Sequence, residues 1–150
     1  MAEYISFQPS DYFSTKLYTG TGSSNAVTGV GFQPDFTWIK CREYTYYNVV
    51  VDAVRGATKY LYTNTTAATA TSANYVASLD ADGFTVGTSN EVNSSTYSDF
   101  VSWNWKAGTT SGLSGGTITP NSYSFNTTSG FSIIEFDGNG SAGATVPHGL

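Results

Sequence analysis

The chain has one histidine, His148, two residues before Leu150 at the end of the sequence. A Ser-His-Asp triad would have to use it, and a fixed imidazole orientation is hard to hold near a chain end. No His-based triad is therefore expected. Glycoside hydrolysis needs two carboxyl groups about 5 to 10 Å apart on a groove. The glutamates are Glu3, Glu43, Glu91 and Glu135, and no two of them share a strand-like stretch. The sequence has no Gly-rich phosphate loop ending in Lys-Ser/Thr, no Cys-x-x-Cys and no His-Glu-x-x-His. The expectation is a non-enzymatic chain, with no catalytic residue and no cofactor.

Two stretches resemble cation loops. Asp80, Asp82 and Gly83 stand in DADG, and Asp137, Asn139 and Ser141 offer oxygens at alternate positions. Neither continues with the glutamate that closes an EF-hand, so both are read as turns and no metal is expected. Cys41 lies between Lys40 and Arg42, cations that lower a thiol pKa when they face it. On a strand they point away from it, so Cys41 is read as a buried structural residue. Asp52 and Arg55, in DAVRG, are read as ordering a turn. The remaining candidates are aromatic: Tyr44, Tyr46, Tyr47 and Tyr97 lie in polar stretches. Their rings could stack on sugars. They could equally bury at a subunit interface, where Tyr and Trp are enriched, and the interface is the favoured reading.

Strands must position these groups. In residues 29–42, GVGFQPDFTWIKCR, the glycines permit positive φ and Pro34 biases Gln33 toward extended backbone. Phe36, Trp38 and Lys40 then alternate with Thr37, Ile39 and Cys41, the period of a strand, here taken as central. Residues 99–107, DFVSWNWKA, repeat the signal, with Val101, Trp103, Trp105 and Ala107 on one face. Two tryptophans on one face must cover a core or a partner. The expected core is Trp38, Ile39, Val101, Trp103 and Trp105. Shorter strands are expected at 15–19, 26–30, 48–52, 57–63, 84–87 and 130–136, with 117–125 extended around Pro120 and loops at 64–74 and 90–98. The fold class is all-β, an antiparallel β-sandwich.

The expected organisation is a lead segment at 1–14, a β-sandwich module at 15–108 and a Gly/Ser/Thr-rich linker at 109–129. A β-hairpin at 130–150 then opens a second repeat. Residues 18–32, YTGTGSSNAVTGVGF, align without gaps on 136–150, FDGNGSAGATVPHGL, with Gly20 on Gly138, Gly22 on Gly140 and Gly31 on Gly149. The second copy stops before its central strand, which leaves an edge for another chain to complete.

Composition excludes several classes. The 150 residues suit one domain, and 15% are aromatic while only 11% are charged. The net charge of −5 and the scattered cations Lys16, Lys40, Arg42, Arg55, Lys59 and Lys106 argue against nucleic acid. No apolar run reaches the roughly 20 residues of a membrane helix, so no membrane partner is expected. Residues 1–10 lack the pattern of a secretory signal, so synthesis in a host cytoplasm is expected. Asn64, Asn93, Asn126 and Asn139 begin Asn-x-Ser/Thr triplets and are read as polar loop positions.

The stretches GVGFQPDFTWIK, VVVDAVRGATKYL, DADGFTVG and FVSWNWKAG resemble a module of virion structural and tail-fibre-like proteins of tailed bacteriophages, especially those of marine bacteria. The similarity spans about residues 15–108. The segment GFSIIEFDGNGSAGATVPHGL is similar to the start of the module that often follows, without the Pro-containing strand that usually continues it. The resemblance implies a jelly-roll sandwich of the concanavalin-like lectin and glucanase class. It also implies a virion location, in a fibre, spike or capsid-decorating subunit. Other virion proteins and a homo-oligomer, a trimer first, are the implied partners, with a host surface glycan as the alternative. No catalytic residues accompany the resemblance.

Overall fold

A computed structural model describes residues 7–150. Residues 1–6, with Glu3, lie outside the described residues. Eleven strands are arranged in three antiparallel sheets. They are β1 (Phe13–Thr19), β2 (Asn25–Thr28), β3 (Phe36–Cys41), β4 (Val49–Asp52), β5 (Lys59–Tyr62), β6 (Ala70–Thr71), β7 (Val76–Asp80), β8 (Gly83–Val86), β9 (Asp99–Trp105), β10 (Ser122–Asn126) and β11 (Phe131–Glu135). A short helix, α1 (Asn90–Asn93), precedes β9.

The large sheet has the order β1-β9-β3-β4-β5-β6. β3 lies inside it, with Trp38 opposite Trp103 of β9 on one side and Val50 of β4 on the other. A three-stranded sheet, β2-β8-β7, faces it, and the core lies between them. That core contains Ile39, Cys41, Val49, Val51 and Phe100 from the large sheet, and Val27, Val76, Phe84 and Val86 from the small one. A fully buried Val or Phe contributes roughly 1.5 to 3 kcal/mol relative to exposure. The alternation expected for β3 and β9 is present, but the inward faces are Thr37-Ile39-Cys41 and Phe100-Ser102-Asn104. Among the expected core residues, Ile39 is fully buried between the sheets. Trp38, Trp103, Trp105 and the buried Val101 lie on the opposite, outer face.

The reason is volume and polarity. Facing sheets pack about 10 Å apart, and β-branched residues with a few rings fill that gap. Small buried polar groups share the inward face: Thr37 donates to Asn104 Oδ1 at 3.1 Å, and Asn104 Nδ2 donates to Ser14 O and Ser102 Oγ. Indoles go to the outer face, which has room for them.

β1 begins at Phe13, inside the stretch read as a lead, because Phe13 pairs with Trp105 and packs on its ring at 5.0 Å. β10 falls inside the stretch read as a linker and forms an antiparallel ribbon with β11. The hairpin is thus 122–135, not 130–150, and residues 136–150 form no strand. The second repeat is corrected accordingly: β2 has no counterpart strand at 143–146. Only turn geometry recurs, with positive φ at Gly22 and Gly140 and at Gly31 and Gly149. The polar loop at 90–98 holds α1, and its Val92 and Asn93 are fully buried.

Candidate functional site

Three surface features carry aromatic or polar chemistry, and the elements just described place each of them.

The first is the tyrosine set. Tyr44, Tyr46 and Tyr97 come together: Tyr44 stacks on Tyr97 at 4.2 Å and lies 4.7 Å from Tyr46. Lys40 fixes the loop by donating to the carbonyls of Tyr44 and Tyr46. Tyr47 belongs to a second group, packing on Tyr62 at 4.6 Å. There Tyr60 stacks on Tyr75 at 3.8 Å, and the Tyr62 and Tyr75 hydroxyls are 2.6 Å apart. Desolvation, and then the hydrogen bond to Tyr75, push the Tyr62 phenol well above its ordinary value. Sequence reading missed Tyr60, Tyr62 and Tyr75. The alternation in KYLY does place Tyr60 and Tyr62 on one face. In both groups rings pack on other tyrosines, while Tyr44 and Tyr47 each remain 45% exposed.

The second feature is the outer face of the large sheet. Trp38 and Trp103 pack at 5.3 Å, and Trp105 is surrounded by Phe13, Phe36 and Phe131 at 5.0 to 5.8 Å. The β10–β11 ribbon covers the Trp105 end through Phe131. The other side stays open: on edge strand β1, Leu17 is 60% and Phe13 40% exposed. The indole N–H of Trp38 is buried and has no partner among the described residues.

The third is a cavity of about 370 Å³ between the start of β3, the turn after β4, and the ribbon, where Ala53 and Val54 stand beside polar side chains. Asp35 lies at its edge. Its backbone N–H donates to Trp105 O and its carbonyl accepts from Ala53 N, both at 2.8 Å. Its Oδ2 accepts from Ala107 N at 2.7 Å. Burial raises the Asp35 carboxyl above its usual range, against the lowering effects of that hydrogen bond and of Lys106.

The other candidates have local structural partners. Asp52 accepts from the Arg55 backbone N–H at 2.7 Å and from its Nε at 2.6 Å, which orders the turn. Asp82 Oδ1 accepts from Gly31 N and Oδ2 from Gly29 N, and these two bonds hold its carboxyl below the usual range. Asp80 accepts from Thr85 and Asp137 from Asn121. Glu43 accepts from Asp99 N, Glu91 from Ser89, and Glu135 from Ser122. Exposed His148 accepts from Leu150 N through Nδ1. Cys41 is buried. Among the described residues no three His, Cys, Asp or Glu side chains are grouped to hold a metal ion. Among the described residues no helix is long and apolar enough to cross a membrane.

These features define an antiparallel β-sandwich whose distinctive chemistry lies on its surfaces. The chain belongs to the family described as Domain of unknown function (DUF7483), which matches residues 8–150. No curated protein and no solved structure matches it.

Proposed function

We propose that this chain is a non-enzymatic structural subunit of a bacteriophage virion, working by homo-oligomeric assembly into the particle. The virion setting rests on the resemblance of its motifs to phage fibre-like modules, with the concanavalin-like jelly roll as the implied form of the sandwich. The observation that supports assembly is the open apolar row on β1. This seven-residue edge strand pairs only with β9 among the described strands, and it exposes Leu17 and Phe13. Edge strands of lone proteins are commonly guarded by charge, proline or brevity. β1 has no proline, and its one charge, Lys16, lies one position from Leu17 and so points to the other face.

Light scattering on the purified protein tests the reading. An oligomer is expected, a trimer first, and Leu17→Asp should convert it to a folded monomer. A monomeric wild-type protein at about 0.1 mM, ample for any contact of micromolar affinity, overturns it. So does a Leu17→Asp protein that still assembles. The virion setting is tested separately, by mass spectrometry of purified particles of a phage encoding the chain.

A further inference from the structure

We propose that the cavity beside Asp35 is a binding site for a neutral saccharide. The site lies apart from the β1 row and does not depend on the assembly reading.

The argument is an inventory of unused hydrogen-bonding capacity. The cavity is lined by Asp35, Thr110, Asn121, Ser122, Tyr123 and Ser124, among others. Asp35 spends Oδ2 on Ala107 N, and its Oδ1 has no protein partner among the described residues. Asn121 donates through Nδ2 to Asp137 at 3.1 Å and keeps its carbonyl oxygen. Ser124 Oγ accepts from Gly108 N at 2.8 Å, which leaves its proton to donate. Tyr123 lies on the other face of β10, beside Phe125, and its hydroxyl accepts from Leu113 N there. The Thr110 hydroxyl has no partner among the described residues and offers both functions. Ser122 is spent on Glu135. With the second N–H of Asn121, the remaining set holds two acceptors, two donors and one group of either kind.

A ligand must answer both kinds. A sugar hydroxyl donates and accepts at once, and a pyranose carries several around one ring. An anion would meet the Asp35 carboxylate with no cation among the lining residues. A metal cation would find a single carboxylate there. An apolar molecule would leave the polar groups unpaired, at a cost. The volume is at the lower end for small-molecule sites, about right for one or two sugar rings.

The two walls of the site are joined by the protein's own bonds. Ala107 N reaches Asp35, Gly108 N reaches Ser124, and Thr109 exchanges backbone bonds with Phe125 at 3.0 Å. Asp35 and Asn121 are far apart in sequence, and the ribbon brings them to one opening.

The test is nuclear magnetic resonance of the ¹⁵N-labelled protein. It is titrated separately with D-glucose, D-galactose, D-mannose, N-acetyl-D-glucosamine and calcium chloride. At least one sugar is expected to shift the amides of Asp35, Ala107, Thr110 and Asn121–Ser124, with a dissociation constant of millimolar order or tighter. Thr110→Val removes an exposed hydroxyl and should weaken that sugar about tenfold, about 1.4 kcal/mol. Asp35→Asn keeps an oxygen for Ala107 N–H, replaces the free acceptor by a donor, and should weaken it at least as much. Should Asp35→Asn lose the dispersed spectrum of a folded protein, Thr110→Val alone decides. The proposal is overturned if no sugar moves these amides or if the folded variants bind as well as wild type. It is equally overturned if calcium alone moves them and no sugar does.

Discussion

Asn93 shows how much one side chain can carry. It is fully buried. Its Oδ1 accepts from Thr21 N at 2.7 Å, and its Nδ2 donates to Ser23 O and Gly87 O. Its carbonyl also accepts from Gly22 N at 2.8 Å. One amide thus ties the β1–β2 turn, the end of β8 and α1 together. Asn93→Ala would break these three part-buried hydrogen bonds, each worth about 0.5 to 1.5 kcal/mol net. A total loss of about 2 to 4 kcal/mol is expected in urea unfolding, and a loss under about 1 kcal/mol would contradict this account. Tyr18 has a related role: it stacks on Phe100 at 5.3 Å and donates to Val92 O at 2.6 Å. Burial, chiefly, raises its phenol well above the ordinary value.

Two connections matter most among the elements. The β7–β8 turn is clasped to the β2–β3 turn by Asp82, whose carboxylate needs Gly29 and Gly31 at φ 79° and 93° to present their N–H groups. Because folding lowers the Asp82 pKa, its contribution is present above the unfolded value of about 3.9 and is lost as pH falls through the folded one. Asp82→Asn should therefore lower the thermal midpoint at neutral pH, and the gap from wild type should narrow as acid protonates the folded Asp82 carboxylate. A gap constant as pH falls would show that the clasp does not depend on charge. The ribbon is the second connection. Truncation after Gly116 removes β10 and β11 and uncovers Trp105 and Phe36. A fold that stays β-rich in circular dichroism but loses about 2 to 4 kcal/mol is expected. Unchanged stability would reduce the ribbon to a tether.

Charge bears on the whole molecule. Each chain carries −5, so copies repel over several ångströms of solvent while any apolar contact forms at short range. Raising sodium chloride from about 0.02 to 0.5 M shortens the screening length from roughly 20 to 4 Å. Association through the β1 row should tighten over that range, as read by sedimentation velocity. Loosening with salt would mean that ion pairs hold the contact instead.

Periodicity in FTWIKC and DFVSWNW determined two strands and the antiparallel, nearly all-β class, because alternation is a local property that needs no partner to be seen. Turn chemistry at DADG and GVG was equally legible, since positive φ selects glycine. The choice of inward face was not, because both faces of β3 and β9 are rich in large side chains. Only the packing of the two sheets decided that Ile39 and Phe100 go inside and the indoles outside. The extended stretch at 117–125 and the strand at 130–136 were legible, but not their pairing, because Ser, Thr and Gly in 109–129 look like a linker until Phe131 meets Trp105. Of the four loop tyrosines, Tyr44, Tyr46 and Tyr97 were brought into one group while Tyr47, next to Tyr46, joined another. The pocket beside Asp35 had no local signature at all. It exists because strands far apart in sequence carry hydroxyls, an amide and a carboxylate to one opening, and that is decided by sheet pairing alone.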